Sequence, residues 1–465
     1  MSRKIIHSIF LTFILFSCEE QTPHSLAIKN IDIFDSVHKK VLKNKTIIID
    51  NDIITDIIEG SEKVNALKII EGKGRLITPG FIDTHIHLTD IYGDFENAPK
   101  FIDKDSIISY KRKLANTYLK YGTTTILDMA QPTKWIEETI KWQQNPAADY
   151  PNLYISGSGI ISDEEREPYI CHTEVKNLDE ARKKVQEYDE MGLKHLKLYW
   201  RLREEEMKVI VEEAKKRKLN IYGHIDNGIV SMQKAMDLGV TNFEHFLTLS
   251  SSVINLDEHY DYLKEIYKIK DPETTDEYIA MLVLIFNYIK EKPALDLKLN
   301  KLLDRLAKEN ATLSTTIHLL GSVAGKTYFF TSISPVSESQ VLNFPNYTVE
   351  QKKILEIAFD DMMQYLRLAH NKGVKIRIGT DCRDGGKALL SELLLLYESE
   401  FSIEDIFQIA TLNGSQAIKI DKDHGTIEKG KKADLVIFDK NPFEDYRNFL
   451  SDKTVIKGGK IFIGE

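Results

Sequence analysis

The stretch FIDTHIHL, Phe81 to Leu88, constrains this chain more than any other. It sets His85 and His87 two positions apart at the end of an apolar run. On a β-strand such residues share a side, so both imidazoles can reach one point. A lone His-x-His says little. Here it is followed by β-rich segments that each run into a residue of ligand type: HLKLYW with Lys197, NIYGH with His224, TNFEH with His245 and KIRIGTD with Asp381. Singly, each is more often a satisfied core or loop residue. Together, six such residues on five strand ends describe one pocket.

The intervals from Lys197 to His224 and from His224 to His245 are each about one strand–helix unit of a (β/α)8 barrel, a fold that takes roughly 250 residues and builds its site where the C-terminal strand ends converge. Local patterns agree. Ser106–Tyr121 reads as a helix, Thr123–Asp128 as a strand and Leu153–Ser156 as the third strand. Lys194–Tyr199 is a strand leading into a helix, Leu202–Lys218, whose acidic first turn (Glu204, Glu205, Glu206) and basic last turn suit the helix dipole. Asp257–Lys308 is a charged helical stretch, longer than a standard connection, and reads as an insertion above the active-site face or as padding of the exterior.

The chain ends read differently. AIKNIDIFD, KTIIIDND and IITDIIEG near the start, and ADLVIFD and TVIKGGKIFI near the end, are short strands punctuated by turns at Asn51-Asp52 and Gly458-Gly459. The predicted fold class is therefore α/β: a TIM-like barrel over residues 80–424 with a small β-sandwich from both ends, residues 27–79 and 425–465.

With 465 residues and 42% hydrophobic content the chain can bury a large core, and its net charge of −9 is spread along helices without a basic cluster. That pattern argues against nucleic-acid binding. Arg3 and Lys4 precede the apolar Ile5–Phe16, too short to cross a membrane, so residues 1–17 read as a secretory signal and 18–26 as a tether. Leu15-Phe16-Ser17-Cys18 resembles a lipoprotein lipobox, with Cys18 the lipidated terminus; the plainer alternative is an ordinary cleaved signal. Lipidation implies membrane contact in a bacterial cell envelope, periplasmic or surface-exposed. Cys171 and Cys382 are too few for a disulfide framework. Cys382 beside Asp381 reads as a small filler near the pocket.

LITPGFIDTHIHL, YGTTTILDM, Lys197 in KLYW, His224, the FEH at His245, the GTD at Asp381, and the closing IATLNGSQAIKI and GTIEKGKKADLVIFDKNPFED together resemble the amidohydrolase superfamily, near its prolidase-like and imidazolonepropionase-like hydrolases. The resemblance runs from about Ala27 to Lys460. It implies two divalent metal ions, zinc foremost, with His85, His87 and Asp381 on the first and His224 and His245 on the second. Lys197 would bridge them as a carbamate formed with carbon dioxide. Lys194, the competing lysine, falls on the opposite strand face. The implied reaction is hydrolysis of an amide-like C–N bond in a small-molecule substrate by a hydroxide between the ions, with Asp381 as base and then acid.

Substrate contacts are less constrained. Tyr199 shares Lys197's side of the strand and can donate a hydrogen bond. Arg201 continues that alternation and can bind a carboxylate, or it is a solvated loop residue. His172 in a polar loop after the third strand and His318 after the seventh are further candidates, though a single loop histidine is more often structural or solvent-facing; Arg383, just beyond Asp381, is a candidate for an anionic group. Three readings follow: a binuclear hydrolase of dipeptides or N-acyl amino acids, a mononuclear cyclic amidohydrolase or deaminase, and a non-catalytic surface binding protein. Oligomers are common in the family, but no interface is readable in this sequence.

Overall fold

The computed structural model describes residues 23–92, 106–164, 169, 171–326, 328 and 347–464. The signal segment and Cys18 lie outside them. The first strands are β1 (Leu26–Asp35), β2 (Lys40–Asp50), β3 (Ile53–Glu59), β4 (Ile69–Glu71) and β5 (Leu76–Pro79). The body carries β6 (Phe81–Ile86), β7 (Thr123–Asp128), β8 (Asn152–Ile155), β9 (Gly159–Ser162), β10 (His172–Val175), β11 (His195–Leu198), β12 (Asn220–Gly223), β13 (Asn242–Phe243), β14 (Thr312–Ser314) and β15 (Lys375–Arg377). The chain ends on β16 (Leu435–Phe438), β17 (Lys453–Lys457) and β18 (Lys460–Ile461).

Both chain ends enter one eight-stranded sheet, ordered β18-β17-β16-β5-β1-β2-β3 with β4 on β1. β5 pairs antiparallel with β16, Val436 opposite Thr78, which joins the two ends. Alternating apolar residues of these strands, among them Ile28, Ile31, Ile47, Ile49, Ile77, Leu435 and Ile437, form a core of their own. The backbone of Ile54 in β3 exchanges bonds with Gly430 and Lys431, both 2.8 Å, so the sheet curls back to the approach to β16. The observed form is thus one continuous sheet in which the block from the chain's end, β18-β17-β16, lies beside the block from its start at the β16–β5 junction.

The body strands are parallel, in two runs: β6-β7-β8 and β10-β9-β11-β12-β13-β14-β15. The break between the runs comes at the end of the expected third strand, Leu153–Ser156, which corresponds to β8. β8 pairs with β7, β9 pairs with β11, and Ser156, Gly157 and Ser158 separate them. Gly157 takes φ 76°, and a Cβ there would press on Tyr188 and Leu193. β6 and the segment after β15 are joined by Thr84 N–H to the Ile378 carbonyl (3.0 Å) and Asp381 N–H to the His85 carbonyl (2.8 Å).

Strand alternation positions the site. Leu196 and Leu198 of β11 belong to the large apolar core, so Lys197 between them points the other way, to the inner side of the strands. The 257–308 region forms helices Leu256–Tyr267, Thr275–Glu291 and Pro293–Lys308. The middle helix is apolar, burying Ala280 through Phe286 together with Tyr288 and Ile289, and it packs against Pro293–Lys308 and Val349–Lys372. It also reaches the short helices after β13 and β14, where Phe286 stacks on Phe246 at 5.7 Å. The stretch is a packed helical layer. Among the described residues no helix is long and apolar enough to cross a membrane.

Candidate active site

The C-terminal ends of β6, β11, β12, β13 and β15 bring the six expected residues together. Nε2 of His87 lies 3.2 Å and Nε2 of His85 3.7 Å from Oδ1 of Asp381. One ligand-type atom from each of the three lies within 4.8 Å of the others, the spacing of a metal site. The His85 ring is 4.7 Å from that of His245, which is 4.5 Å from His224. Two backbone features permit this convergence. His245 and Asp381 leave their strands in the left-handed region, φ 58° and 50°. Gly379 lets β15 approach β6 and β14, because a Cβ there would fall 2.1 Å from Ser314 Oγ and 2.8 Å from the His85 Cβ.

Lys197 is 1% exposed, and its Nζ has no hydrogen-bond partner among the described residues; Nδ1 of His224 has none either. Burial pulls the Lys197 ammonium down to about 8, against the pull of Glu244 and Asp381. Lys194, its rival, is exposed and paired with Asp189 at 3.3 Å. Burial and then the Lys197 charge lower His85 to about 4, and burial and His85 hold His245 low. Burial opposes the charge on His87, but its bond to Asp381 raises it to about 9. Asp381 stays well below the usual carboxylate range, its burial outweighed by His85 and His87. Imidazole and carboxylate donors, with a buried ring nitrogen lacking a partner, fit a divalent cation.

The sequence reading missed the polar layer beneath these residues. Glu244 and Arg377 are both 0% exposed, and Glu244 Oε2 accepts from His85 Nδ1 at 2.6 Å. Charged residues inside otherwise apolar strands, FEH and KIRIG, were the available signal. Asp83 accepts from Thr380 Oγ1 at 2.6 Å, which anchors the GTD turn.

The candidate substrate contacts divide. Tyr199 is beside the cluster, its ring 5.2 Å from His224 and 4.2 Å from His172, which is itself buried. Arg201 pairs with Glu164 at 2.8 Å and lies over the Trp200 ring at 4.5 Å. His318 is fully buried in the helix Ile317–Val323, its backbone N–H donating to Glu392 at 3.2 Å. Arg383 acts electrostatically on Asp90, near His87. Cys382 packs against Leu319 and Ala388, the filler role expected of it, and neither Cys382 nor Cys171 is in a disulfide.

Residues 76–461 match the family model described as Amidohydrolase family. The chain belongs to that family and is a hydrolase acting on carbon–nitrogen bonds, of a metal-dependent kind. It is 23% identical over 445 residues to an imidazolonepropionase of Picrophilus torridus, covering 91% of this chain and 93% of that protein. It is 33% identical over 102 residues to the Brevibacillus brevis imidazolonepropionase, a match spanning only 24% of that protein's length. A solved Xaa-Pro dipeptidase with methionine in its active site superposes with a TM-score of 0.65 at 19% identity, over 94% of this chain and 100% of the other. That likeness shows a shared fold.

Proposed function

We propose that this protein is a binuclear metal hydrolase that cleaves an amide-like C–N bond in a dipeptide, prolidase-like, or an N-acyl amino acid. The observation that carries this reading is Lys197: a lysine fully buried among histidines, with no hydrogen-bond acceptor for its Nζ among the described residues. An unpaired buried ammonium is costly. The same nitrogen as a neutral amine adds to carbon dioxide, forming an N–C bond and releasing one proton, and becomes an anionic two-oxygen ligand. His85, His87 and Asp381 would hold one ion, His224 and His245 the other, and carboxylated Lys197 both. Such ions supply Lewis acidity and water that ionises near neutral pH.

The chain's own groups do the rest. Asp381, anchored by its backbone to His85, takes the proton of the attacking water and delivers it to the leaving nitrogen. Tyr199 lines the wall beside His224, where its hydroxyl can donate to the tetrahedral oxyanion. The bonds between β6 and the segment after β15 support a closed (β/α)8 barrel over residues 80–424. The curled terminal sheet supports a two-layered sandwich from 27–79 and 425–465. Residues 1–17 act as an export signal and Cys18 as a lipid anchor in a bacterial cell envelope.

Elemental analysis of the chain lacking residues 1–18, beside its Lys197→Ala variant, tests the proposal. Two metal equivalents in the parent and a sharp loss in the variant are expected. The tight His85–His87–Asp381 set favours a second, single-ion reading, that of a cyclic amidohydrolase or deaminase. One equivalent, indifferent to the substitution, would select it.

A further inference from the structure

We infer that Glu244 is a positioning residue for His85, aiming its Nε2 at Asp381, and that Arg377 holds Glu244 in place for that task. The inference rests on the metal-dependent reading above and extends it to side chains outside the ligand set.

Oε2 of Glu244 lies 2.6 Å from Nδ1 of His85, and Oε1 lies 2.5 Å from Nη2 of Arg377. A carboxylate engaged by a guanidinium only accepts hydrogen bonds. The hydrogen of His85 therefore resides on Nδ1, and Nε2 turns a lone pair toward Asp381 Oδ1. Arg377 cannot easily swing away. Its Nη1 donates to Thr84 Oγ1 at 2.6 Å, its Nε to Thr312 Oγ1 at 3.2 Å and its Nη2 to the Phe243 carbonyl at 3.4 Å. One fully buried guanidinium on β15 thus grips β6, β13 and β14, the strands that carry or flank His85, His245 and Asp381. Burying two charges is expensive. A core with no site to orient would be served as well by apolar residues of similar volume.

At Nδ1, His87 and His245 have only neutral hydrogen-bond partners among the described residues. Nδ1 of His87 meets the Ala130 carbonyl at 3.2 Å, and Nδ1 of His245 meets the Thr316 hydroxyl at 3.1 Å. Of the three, only His85 has a carboxylate of the described residues within hydrogen-bond distance of its Nδ1.

The test is zinc affinity of the full chain, measured by chelator competition, with thermal unfolding recorded in parallel. In Glu244→Gln the amide oxygen is drawn to Arg377, which leaves an N–H facing His85. The ring must then carry its hydrogen on Nε2, where it cannot ligate. The expected result is zinc bound about 10–100-fold more weakly by a protein that still unfolds cooperatively. A role confined to stability would lower the unfolding temperature and leave the affinity of the folded protein unchanged. Folded Glu244→Gln with affinity within about twofold of the parent overturns the inference. Should that variant fail to fold, Arg377→Lys, which keeps the charge and loses the fork, carries the test: weakened zinc binding supports the inference and parental affinity overturns it. A parent that holds no zinc overturns the metal reading, and this inference with it; a zinc-binding parent matched by its variants overturns this one alone.

Discussion

Thr316 places its hydroxyl 3.1 Å from Nδ1 of His245, and both residues leave their strands in the left-handed region, φ 56° and 58°. A β-branched residue rarely adopts that conformation, at a cost of roughly 1–3 kcal/mol. The strain is retained beside the site, where Thr316 N–H also ties the turn to the Gly379 carbonyl at 3.0 Å. Thr316→Gly removes both the strain and the side-chain bond. The protein should unfold at an equal or higher denaturant concentration, while kcat/KM falls about tenfold or more as His245 loses its orientation. A variant that is both stable and fully active would show that the hydroxyl plays no part.

Behind the same turn, Glu392 is fully buried, accepting from Thr315 Oγ1 and from the His318 N–H. Burial outweighs these bonds and raises its carboxyl from 4.5 to about 8. A folded-state value above the unfolded one means that the native protein holds the extra proton between those limits. The resulting stability is complete below the unfolded value and is lost as pH rises through the folded one. Stability should therefore decline by as much as about 1.4 kcal/mol per pH unit over that window. Glu392→Gln, which cannot ionise, should flatten the slope in urea titrations between pH 5 and 8. An unchanged slope would place the titrating group elsewhere.

How far the sequence could be read depended on what each position required of its neighbours. Strand ends were legible because ligand-type residues interrupt apolar runs at regular intervals, and Lys197 could be separated from Lys194 by strand parity alone. The break at Ser156–Ser158 was not legible, since β8 and β9 are both short apolar runs and only tertiary pairing shows that they serve different neighbours. Glu244 was passed over because its adjacent histidine offered the simpler role. The charged appearance of 257–308 concealed the apolar helix Thr275–Glu291, whose buried face depends on helices distant in sequence.

Arg201 is held by Glu164 and by the Trp200 face, near the Tyr199–His224 wall. If the substrate is a dipeptide or N-acyl amino acid, its carboxylate competes with Glu164 for this guanidinium. Arg201→Met should raise KM for a free-acid substrate about 10-fold or more, the loss of a charged hydrogen bond worth roughly 1.5–3 kcal/mol. The amide of the same substrate should be affected far less. Equal effects on acid and amide would remove Arg201 from carboxylate recognition.

The junction between the terminal sheet and the body is fixed by Asp434, just before β16. Its Oδ1 accepts from the Gly458 N–H at 2.7 Å and lies 3.3 Å from Lys457 Nζ; its Oδ2 accepts from Asn152 at 2.7 Å, at the start of β8. Burial alone would raise this carboxyl, but Lys457 and His424 hold it well below the ordinary range. Lys457 is only 3% exposed, so Asp434→Asn leaves a buried ammonium without its counter-charge. The expected loss is about 3–5 kcal/mol in urea unfolding at pH 7. A depressed folded-state value contributes stability above the unfolded one, near 3.8, that disappears as pH falls toward the folded one. The parent should therefore lose part of its advantage over the variant below about pH 4. A gap that stays constant from pH 7 to pH 3 would mean that the lost hydrogen-bond geometry, not the charge, sets the cost.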